Sequence, residues 1–117
     1  MLKRYLPHSF IAILVFEFIT KFFTHHLTPM IRHRIHFLGN VQGVGFRYTT
    51  CSVARGFEVT GFVRNCSNGS VELVAEGELA EIERFLESLR NRMGEHIERE
   101  ESVVEGASGV FGSFGIR

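Results

Sequence analysis

The sequence has few cysteines and no net charge, and each of these absences excludes a class of protein. Cys51 and Cys66 are too few for a disulfide-rich secreted scaffold and too far apart for a zinc site, so we expect reduced thiols. Thirteen lysines and arginines balance thirteen aspartates and glutamates, and no long block of like charge occurs. The chain therefore has no strong field for DNA or an acidic membrane, and we expect a small partner.

What the chain does contain fits one globular domain. Its 117 residues are 44% hydrophobic and 22% charged, a balance too polar for a membrane protein and too apolar for a disordered one. We therefore expect a single hydrophobic core.

The first thirty residues differ in character from the rest. A basic start leads into an apolar run from Phe10, which Glu17 interrupts. It resembles a signal peptide, but bulky residues occupy the cleavage site, and the run is short for a membrane span. Three interpretations stay open: Met30 is the natural start, the segment is an anchor or uncleaved signal, or it forms an extra helix. We expect an extension over 1–30, a domain over 31–117, and a cytoplasmic protein unless the extension anchors it.

The domain predicts the element order β-α-β-β-α-β. Alternating residues predict strands over 31–39, 58–65, 70–77, 96–106 and 110–117, and helical spacing predicts helices over 46–56 and 78–94. Gly56 suits a left-handed helix cap, and Asn68-Gly69 predicts a tight hairpin in which both residues can take positive φ. The second helix has an apolar stripe of Leu79, Ile82, Phe85, Leu86, Leu89 and Met93, so we expect it to pack on the sheet with its charges solvated. The predicted fold class is α+β, a ferredoxin-like α/β sandwich with two helices on one face of a mostly antiparallel sheet.

The junction between the first strand and the first helix carries the candidate chemistry. Its sequence, GNVQGVG over 39–45, lacks the third glycine of a dinucleotide fingerprint and the lysine of a Walker A loop. Glycines let consecutive N–H groups turn toward one point, and the following helix adds its positive end there. Arg47 can add a planar fork of donors that matches two phosphate oxygens. One interpretation is an anion cradle; the other is a tight turn with Arg47 paired to a surface carboxylate.

The same stretch resembles a known signature. GNVQGVGFR matches every specified position of the acylphosphatase pattern G-x-V-Q-G-V-x-F-R, and GFEVTGFVRNCSNGSVELVAEGE resembles that family's second segment. The resemblance covers 31–117 and implies hydrolysis of acyl phosphates to a carboxylate and inorganic phosphate, without metal, cofactor or covalent intermediate. By position it implies a backbone cradle of Gly39, Asn40, Val41, Gln42, Gly43, Val44 and Gly45. It also implies that Arg47 binds the phosphate and that Asn65 orients the attacking water.

Physical chemistry agrees with these implied roles. Donors aimed at the three equatorial oxygens stabilise the charge that spreads over them in a loose transition state. A carboxylate leaves without protonation, so a general acid is unnecessary and a metal is dispensable. Asn65 could hold water in line, although an asparagine before a turn is by itself usually only a turn residue. We also expect the Ser70 hydroxyl to brace this hairpin, and Cys51 and Cys66 to flank the site.

Other functions are weaker on this sequence. His25 and His26 lie in the extension, while His33 and His36 stand three apart on a strand and face opposite sides, so we expect no metal. The alternatives are a binding or maturation module, as in larger carbamoyl-phosphate-handling proteins, and a ferredoxin-like RNA-binding domain. The first would carry zinc-finger and catalytic regions not found in this sequence, and the second needs a basic surface. We expect a monomer that binds a small acyl phosphate and no nucleic acid, and that meets a membrane only if the extension is an anchor.

Overall fold

The computed structural model describes residues 29–117, and the predictions made for residues 1–28, a signal, an anchor or an added helix, lie outside the described residues. The elements are β1 Met30–Gly39, α1 Phe46–Ala54, β2 Thr60–Asn65, β3 Val71–Glu78, α2 Leu79–Met93, β4 Ile97–Gly106 and β5 Phe114–Ile116. A short 3-10 turn, Gly94–His96, follows α2. Every strand and helix predicted within this range is present, with only the ends shifted. Between residues 29 and 117 no helix has the length and apolar character needed to cross a membrane.

The five strands form one sheet in the order β4-β1-β3-β2-β5. β1 and β2 both pair antiparallel with β3, which lies between them, so they run parallel to each other. β4 pairs antiparallel with β1, and β5 pairs parallel with β2. The ends of β1 and β2 therefore meet at the same edge of the sheet, which brings the loop after Gly39 and the residue Asn65 to one place.

Alternation along the strands sends one set of side chains into the core beneath the helices. Ile35 and Phe37 on β1 are fully buried, as are Val71, Leu73 and Ala75 on β3. The helices contribute the buried residues Phe46, Thr50, Val53, Ala54, Ile82, Phe85, Leu86, Leu89 and Met93. Each large apolar side chain buried in this way stabilises the fold by about 1.5–3 kcal/mol. The predicted ferredoxin-like α/β sandwich is confirmed.

The opposite face of the sheet carries buried carboxylates. Glu72 and Glu76 on β3 are only 4% and 2% exposed, because charged and polar partners surround them. The segment between β4 and β5 folds across this face, and its Phe111 ring lies 5.8 Å from the ring of Phe62. RNA-binding domains of this fold stack bases on exposed aromatic side chains of the central strands. Here Phe62 is only 8% exposed, which does not favour that alternative.

The left-handed cap predicted at Gly56 is wrong, and the predicted β2–β3 hairpin is present with a different turn. Gly56 does not take a positive φ. The end of α1 is closed instead by short-range bonds, with the Gly56 N–H donating to the Val53 carbonyl at 3.0 Å. In the β2–β3 turn only Gly69 takes a positive φ, of 90°, and Asn68 does not. The turn is wider than predicted, since Cys66 pairs with Ser70 across it and a single left-handed residue is enough to close it.

The apolar stripe of α2 is one residue shorter than predicted. Leu79 is the first residue of the helix and is 45% exposed, so it lies outside the core. Burial begins at Ile82, one turn later. The stripe from Ile82 to Met93 packs on the sheet as expected.

Candidate active site

The loop between β1 and α1 alternates in backbone handedness. Gly43 and Gly45 have φ of 77° and 79°, in the left-handed region, whereas Val44 between them does not. Such alternation turns successive N–H groups to one side and makes an anion-binding concavity. A Cβ placed on either glycine would meet nothing within 4 Å, so this side of the loop is open.

The N–H groups of this loop are available as donors. None of those from Val41 to Tyr48 donates to a backbone carbonyl elsewhere in the described range, and the first helical bond runs from the Thr49 N–H to the Gly45 carbonyl at 2.9 Å. The start of a helix leaves its first N–H groups unpaired and carries a partial positive charge. The loop and the first turn of α1 together therefore form one cluster of donors suited to an oxyanion.

Apolar side chains hold the loop in this shape from behind. Val41 is 1% exposed and Phe46 is 2% exposed, and the Phe46 ring lies 5.1 Å from the ring of Phe37. Val44 packs against the same core. The side chains of the loop thus anchor it to the sheet while its backbone is left to bind a ligand.

A glycine is required at Gly39 for a different reason, because the backbone of β4 and of the turn before it lies very close to it. It lies where the pairing of β1 with β4 shifts register, and its φ is 130°. A Cβ there would stand 2.6 Å from the His96 carbonyl oxygen and 2.8 Å from the Glu98 nitrogen. Only glycine lets the chain leave β1 at this point and enter the loop.

Arg47 is the second residue of α1 and is half-buried. Within the described range no carboxylate lies within 4.0 Å of its guanidinium group. The alternative in which Arg47 pairs with a surface carboxylate is therefore not what this structure shows. Its position adds a full positive charge beside the positive end of the helix.

Asn65 is the last residue of β2, exposed at the same edge. The turn that follows it is closed by two backbone bonds, from the Cys66 N–H to the Ser70 carbonyl at 2.8 Å and from the Gly69 N–H to the Cys66 carbonyl at 3.1 Å. As predicted, the Ser70 hydroxyl braces the turn, donating to the Asn68 side-chain oxygen at 2.6 Å. A short, well-bonded turn fixes the direction in which Asn65 leaves the strand.

The end of β2 is further fixed on the outer face of the sheet. Glu72 accepts hydrogen bonds from Arg64 Nε at 2.6 Å and from Arg34 Nη1 at 3.0 Å, and His36 Nε2 lies 3.3 Å away. Burial alone would raise the pKa of Glu72, but the bonds from Arg64 and Arg34 outweigh it and lower the pKa. The carboxylate stays charged and ties Arg64, the neighbour of Asn65, to β3.

One contact between the two halves of this site was not predicted from the sequence. The side-chain nitrogen of Gln42, in the cradle, donates to the Cys66 carbonyl at 2.8 Å and to the Ser70 carbonyl at 2.9 Å. The sequence predicted only a backbone role for Gln42. It is the single glutamine of the chain, which was the one available signal.

The other candidate residues do not gather at the cradle. His33 faces the helices, and His36 lies on the outer face beside Glu72, so the two stand on opposite sides as predicted. Within residues 29–117 no three metal-ligating side chains come together. Cys51 and Cys66 are free and half-buried, and burial raises the pKa of the Cys51 thiol although Arg55 opposes it. Cys51 lies on α1 and Cys66 follows the last residue of β2, and the two thiols do not form a disulfide.

The fold and the site define a class of protein: a ferredoxin-like α+β domain with an oxyanion-binding loop and an arginine at one edge of its sheet. A family model described as acylphosphatase matches residues 33–116. The chain belongs to the acylphosphatase family.

Individual relatives agree with this assignment over most of their own lengths. The chain is 42% identical over 93 residues to an acylphosphatase of Syntrophotalea carbinolica, covering 74% of this chain and 96% of the relative. It is 40% identical over 75 residues to an acylphosphatase of Clostridium acetobutylicum, covering 64% of this chain and 80% of the relative. The crystal structure of the Bacillus subtilis acylphosphatase superimposes with a TM-score of 0.67 at 28% identity, covering 74% of this chain and 98% of that one.

Proposed function

We propose that this protein is an enzyme that hydrolyses the carboxyl-phosphate bond of acyl phosphates. One observation carries the proposal: a loop of unpaired N–H donors with Arg47 at its end lies at the same sheet edge as Asn65. The relatives named acylphosphatase support the reaction class. The substrate is a small acyl phosphate, and the products are a carboxylate and inorganic phosphate.

The cradle binds the phosphoryl group. N–H groups of 39–45 and of the first turn of α1 donate to its oxygens, and the Arg47 guanidinium contacts two of them. In the loose transition state, negative charge spreads over the three equatorial oxygens, where these donors already stand. Stabilisation comes from positioning before the reaction, since the loop is held by buried Val41 and by the left-handed glycines.

Asn65 brings the nucleophile. Its side-chain amide both donates and accepts, so it can hold a water molecule opposite the acyl oxygen. The water oxygen forms a bond to phosphorus while the bond from phosphorus to the acyl oxygen breaks, and that electron pair leaves with the carboxylate. The water protons stay with the phosphate, so one acyl phosphate and one water give one carboxylate and one dihydrogen phosphate.

The leaving group explains the absence of any role for an acid, a metal or a cofactor in this scheme. A carboxylate is a weak base and departs unprotonated, so no proton donor is needed at the acyl oxygen. Metal ions assist phosphoryl transfer mainly by offsetting charge on the phosphoryl and leaving oxygens. With a carboxylate as the leaving group, Arg47 and the N–H groups of the cradle are sufficient to stabilise the negative charge on the phosphoryl oxygens.

We propose that the protein is a monomer and that it lies in the cytoplasm. Cys51 and Cys66 both carry free thiols, which suits a reducing compartment. Both halves of the site come from one chain, so a second copy is not required for it. No nucleic-acid partner is proposed, and a membrane partner only if the extension is an anchor.

The test is release of phosphate from benzoyl phosphate and acetyl phosphate by the wild type, Arg47→Ala and Asn65→Ala, each with and without a chelator. We expect wild-type turnover unaffected by the chelator and a loss of about 100-fold or more in each variant. Activity that survives both substitutions, or that disappears with the chelator, would overturn the proposal. Phosphate binding without hydrolysis by the wild type would indicate the binding-module alternative.

A further inference from the structure

Gln42 joins two loops that are far apart in the sequence. Its amide nitrogen donates across 24 residues to the Cys66 carbonyl and across 28 residues to the Ser70 carbonyl. An amide NH₂ group has two hydrogens, and here each has a separate acceptor. Both of its donors are used within the protein rather than on a ligand.

The two acceptors are the residues that close the turn after Asn65. Cys66 and Ser70 already pair through the Cys66 N–H and the Ser70 carbonyl, at 2.8 Å. Gln42 therefore holds the neck of this turn rather than its tip. Cys66 follows Asn65 in the chain, so a shift of the Cys66 carbonyl would displace the backbone that carries the Asn65 side chain.

The cradle end of this link is the firmer one. Val41, the residue before Gln42, is 1% exposed and belongs to the core. Gly43, the residue after it, has a left-handed backbone with a φ of 77°. The tip of the turn, from Ser67 to Gly69, is exposed, and Cys66 is half-buried, whereas Ser70 at the other side of the neck is 2% exposed. Loss of the Gln42 side chain should therefore loosen the Cys66 side of the turn and leave the cradle in place.

We propose that the Gln42 side chain is a positioning residue, which sets the distance and angle between the phosphate cradle and the water held by Asn65. This rests on the proposed function. In-line attack depends strongly on geometry, and a displacement of about 1 Å can cost about 100-fold in rate. Gln42 acts on turnover through Asn65, whereas the backbone around it binds the phosphate.

The experiment compares Gln42→Met and Gln42→Glu with the wild type, using benzoyl phosphate turnover and inhibition by inorganic phosphate. Methionine has nearly the same length and donates nothing, and a glutamate carboxylate would face two carbonyl oxygens without a donor. We expect kcat to fall about 10-fold to 100-fold in both variants, while the inhibition constant of phosphate stays within about twofold in the uncharged Gln42→Met variant. Asn91→Met, on the exposed face of α2, is the matched control and should leave both constants unchanged.

A double-substitution cycle separates positioning from general damage. If Gln42 acts through Asn65, adding Gln42→Met to Asn65→Ala should lower kcat by less than about twofold further. A full additional 10-fold loss, or an unchanged kcat in an active Gln42→Met protein, would overturn the inference while leaving the proposed function standing. An inactive wild type would instead overturn the proposed function.

Amide hydrogen exchange gives a test that needs no turnover. The Cys66 and Gly69 N–H groups close the turn, and we expect Gln42→Met to speed their exchange by about 10-fold without speeding that of the core strands. Unchanged exchange at these two amides would contradict the proposed link, whether or not the protein hydrolyses acyl phosphates.

Discussion

Glu76 accepts two hydrogen bonds from Ser108, at 2.9 Å from its backbone N–H and at 2.8 Å from its hydroxyl, although 32 residues separate them. The Gly109 N–H and Arg32 Nε complete the set, at 2.9 and 2.8 Å. The carboxylate therefore fastens the segment between β4 and β5 onto the outer face of the sheet. A group that is 2% exposed stays charged there only because every oxygen is paired.

This clamp predicts a loss of stability at low pH. Burial alone would raise the pKa of Glu76, but the bonds from Ser108, Gly109 and Arg32 outweigh it and lower the pKa to about 2. The stabilisation is fully present above the ordinary glutamate value and disappears as the pH falls toward 2; it amounts to at most about 3 kcal/mol.

Urea unfolding of Glu76→Gln should show a lower free energy of unfolding than the wild type at pH 7, with a difference that shrinks as the pH approaches 2. Glu101→Gln, at an exposed position, should show no such difference. A constant gap across this pH range would contradict the clamp.

Arg47 should not be replaceable by lysine. A guanidinium contacts two phosphate oxygens with a planar fork, whereas an ammonium group is a point charge on a longer flexible stem. We expect Arg47→Lys to lower kcat/KM by about 10-fold or more with no change in the unfolding midpoint. Arg55→Lys, at the exposed end of the same helix, is the control and should behave as the wild type. Equal activity of the two variants would exclude a bidentate role.

The glycines of the loop should differ in their tolerance of alanine. At Gly43 a Cβ meets open space, so Gly43→Ala should cost only the left-handed backbone strain of about 1–2 kcal/mol. At Gly39 the same atom meets backbone atoms at 2.6 and 2.8 Å, so β1 and β4 must move apart. The midpoint of thermal unfolding should be clearly lower for Gly39→Ala than for Gly43→Ala. The reverse order would show that contacts of backbone do not require glycine at the end of β1.

His33 should destabilise the protein in mild acid. Burial lowers the pKa of His33, Arg90 lowers it further, and its Nδ1 is buried with no hydrogen-bond partner in the described range. The unfolded chain therefore binds a proton more readily than the native one below about pH 6.5. The contribution of His33 to the free energy of unfolding is fully present above that pH. It falls as the pH decreases through the pKa of His33 in the native protein.

Urea unfolding at pH 7.5 and 5.0 checks this. The wild type should lose stability between them, and His33→Leu should lose less, because leucine can fill the site without taking up a proton. His96→Gln, a half-buried control elsewhere, should keep the wild-type loss. The same pH dependence in His33→Leu and the wild type would contradict the assignment to His33.

Local patterns sufficed to predict the elements. Alternation identified the strands, and the spacing from Ile82 to Met93 identified α2, because core-facing side chains must repeat with the period of their own backbone. Two of the differences lie where two backbone solutions satisfy the same sequence: Gly56 could have capped α1 and does not, and Asn68 could have been left-handed and is not. The bonds that close both places run within four residues, and a residue that tolerates a positive φ does not require one.

By itself, the sequence determined the order of elements, the glycine loop and the residues Arg47 and Asn65 of the candidate site. The order of elements follows from local periodicity, whereas the roles of the loop, Arg47 and Asn65 are what the resemblance to the acylphosphatase signature and second segment implies. Only the tertiary structure decided that Glu72 and Glu76 are buried and that Gln42 spans from the cradle to the turn after Asn65. A charged or amide side chain looks the same in the sequence whether it contacts water or a partner. The pairing of β1 and β2 with β3 brings the partners together, from 8 residues away for Arg64 and Glu72 and from 24 or more for Gln42 and its two carbonyl acceptors.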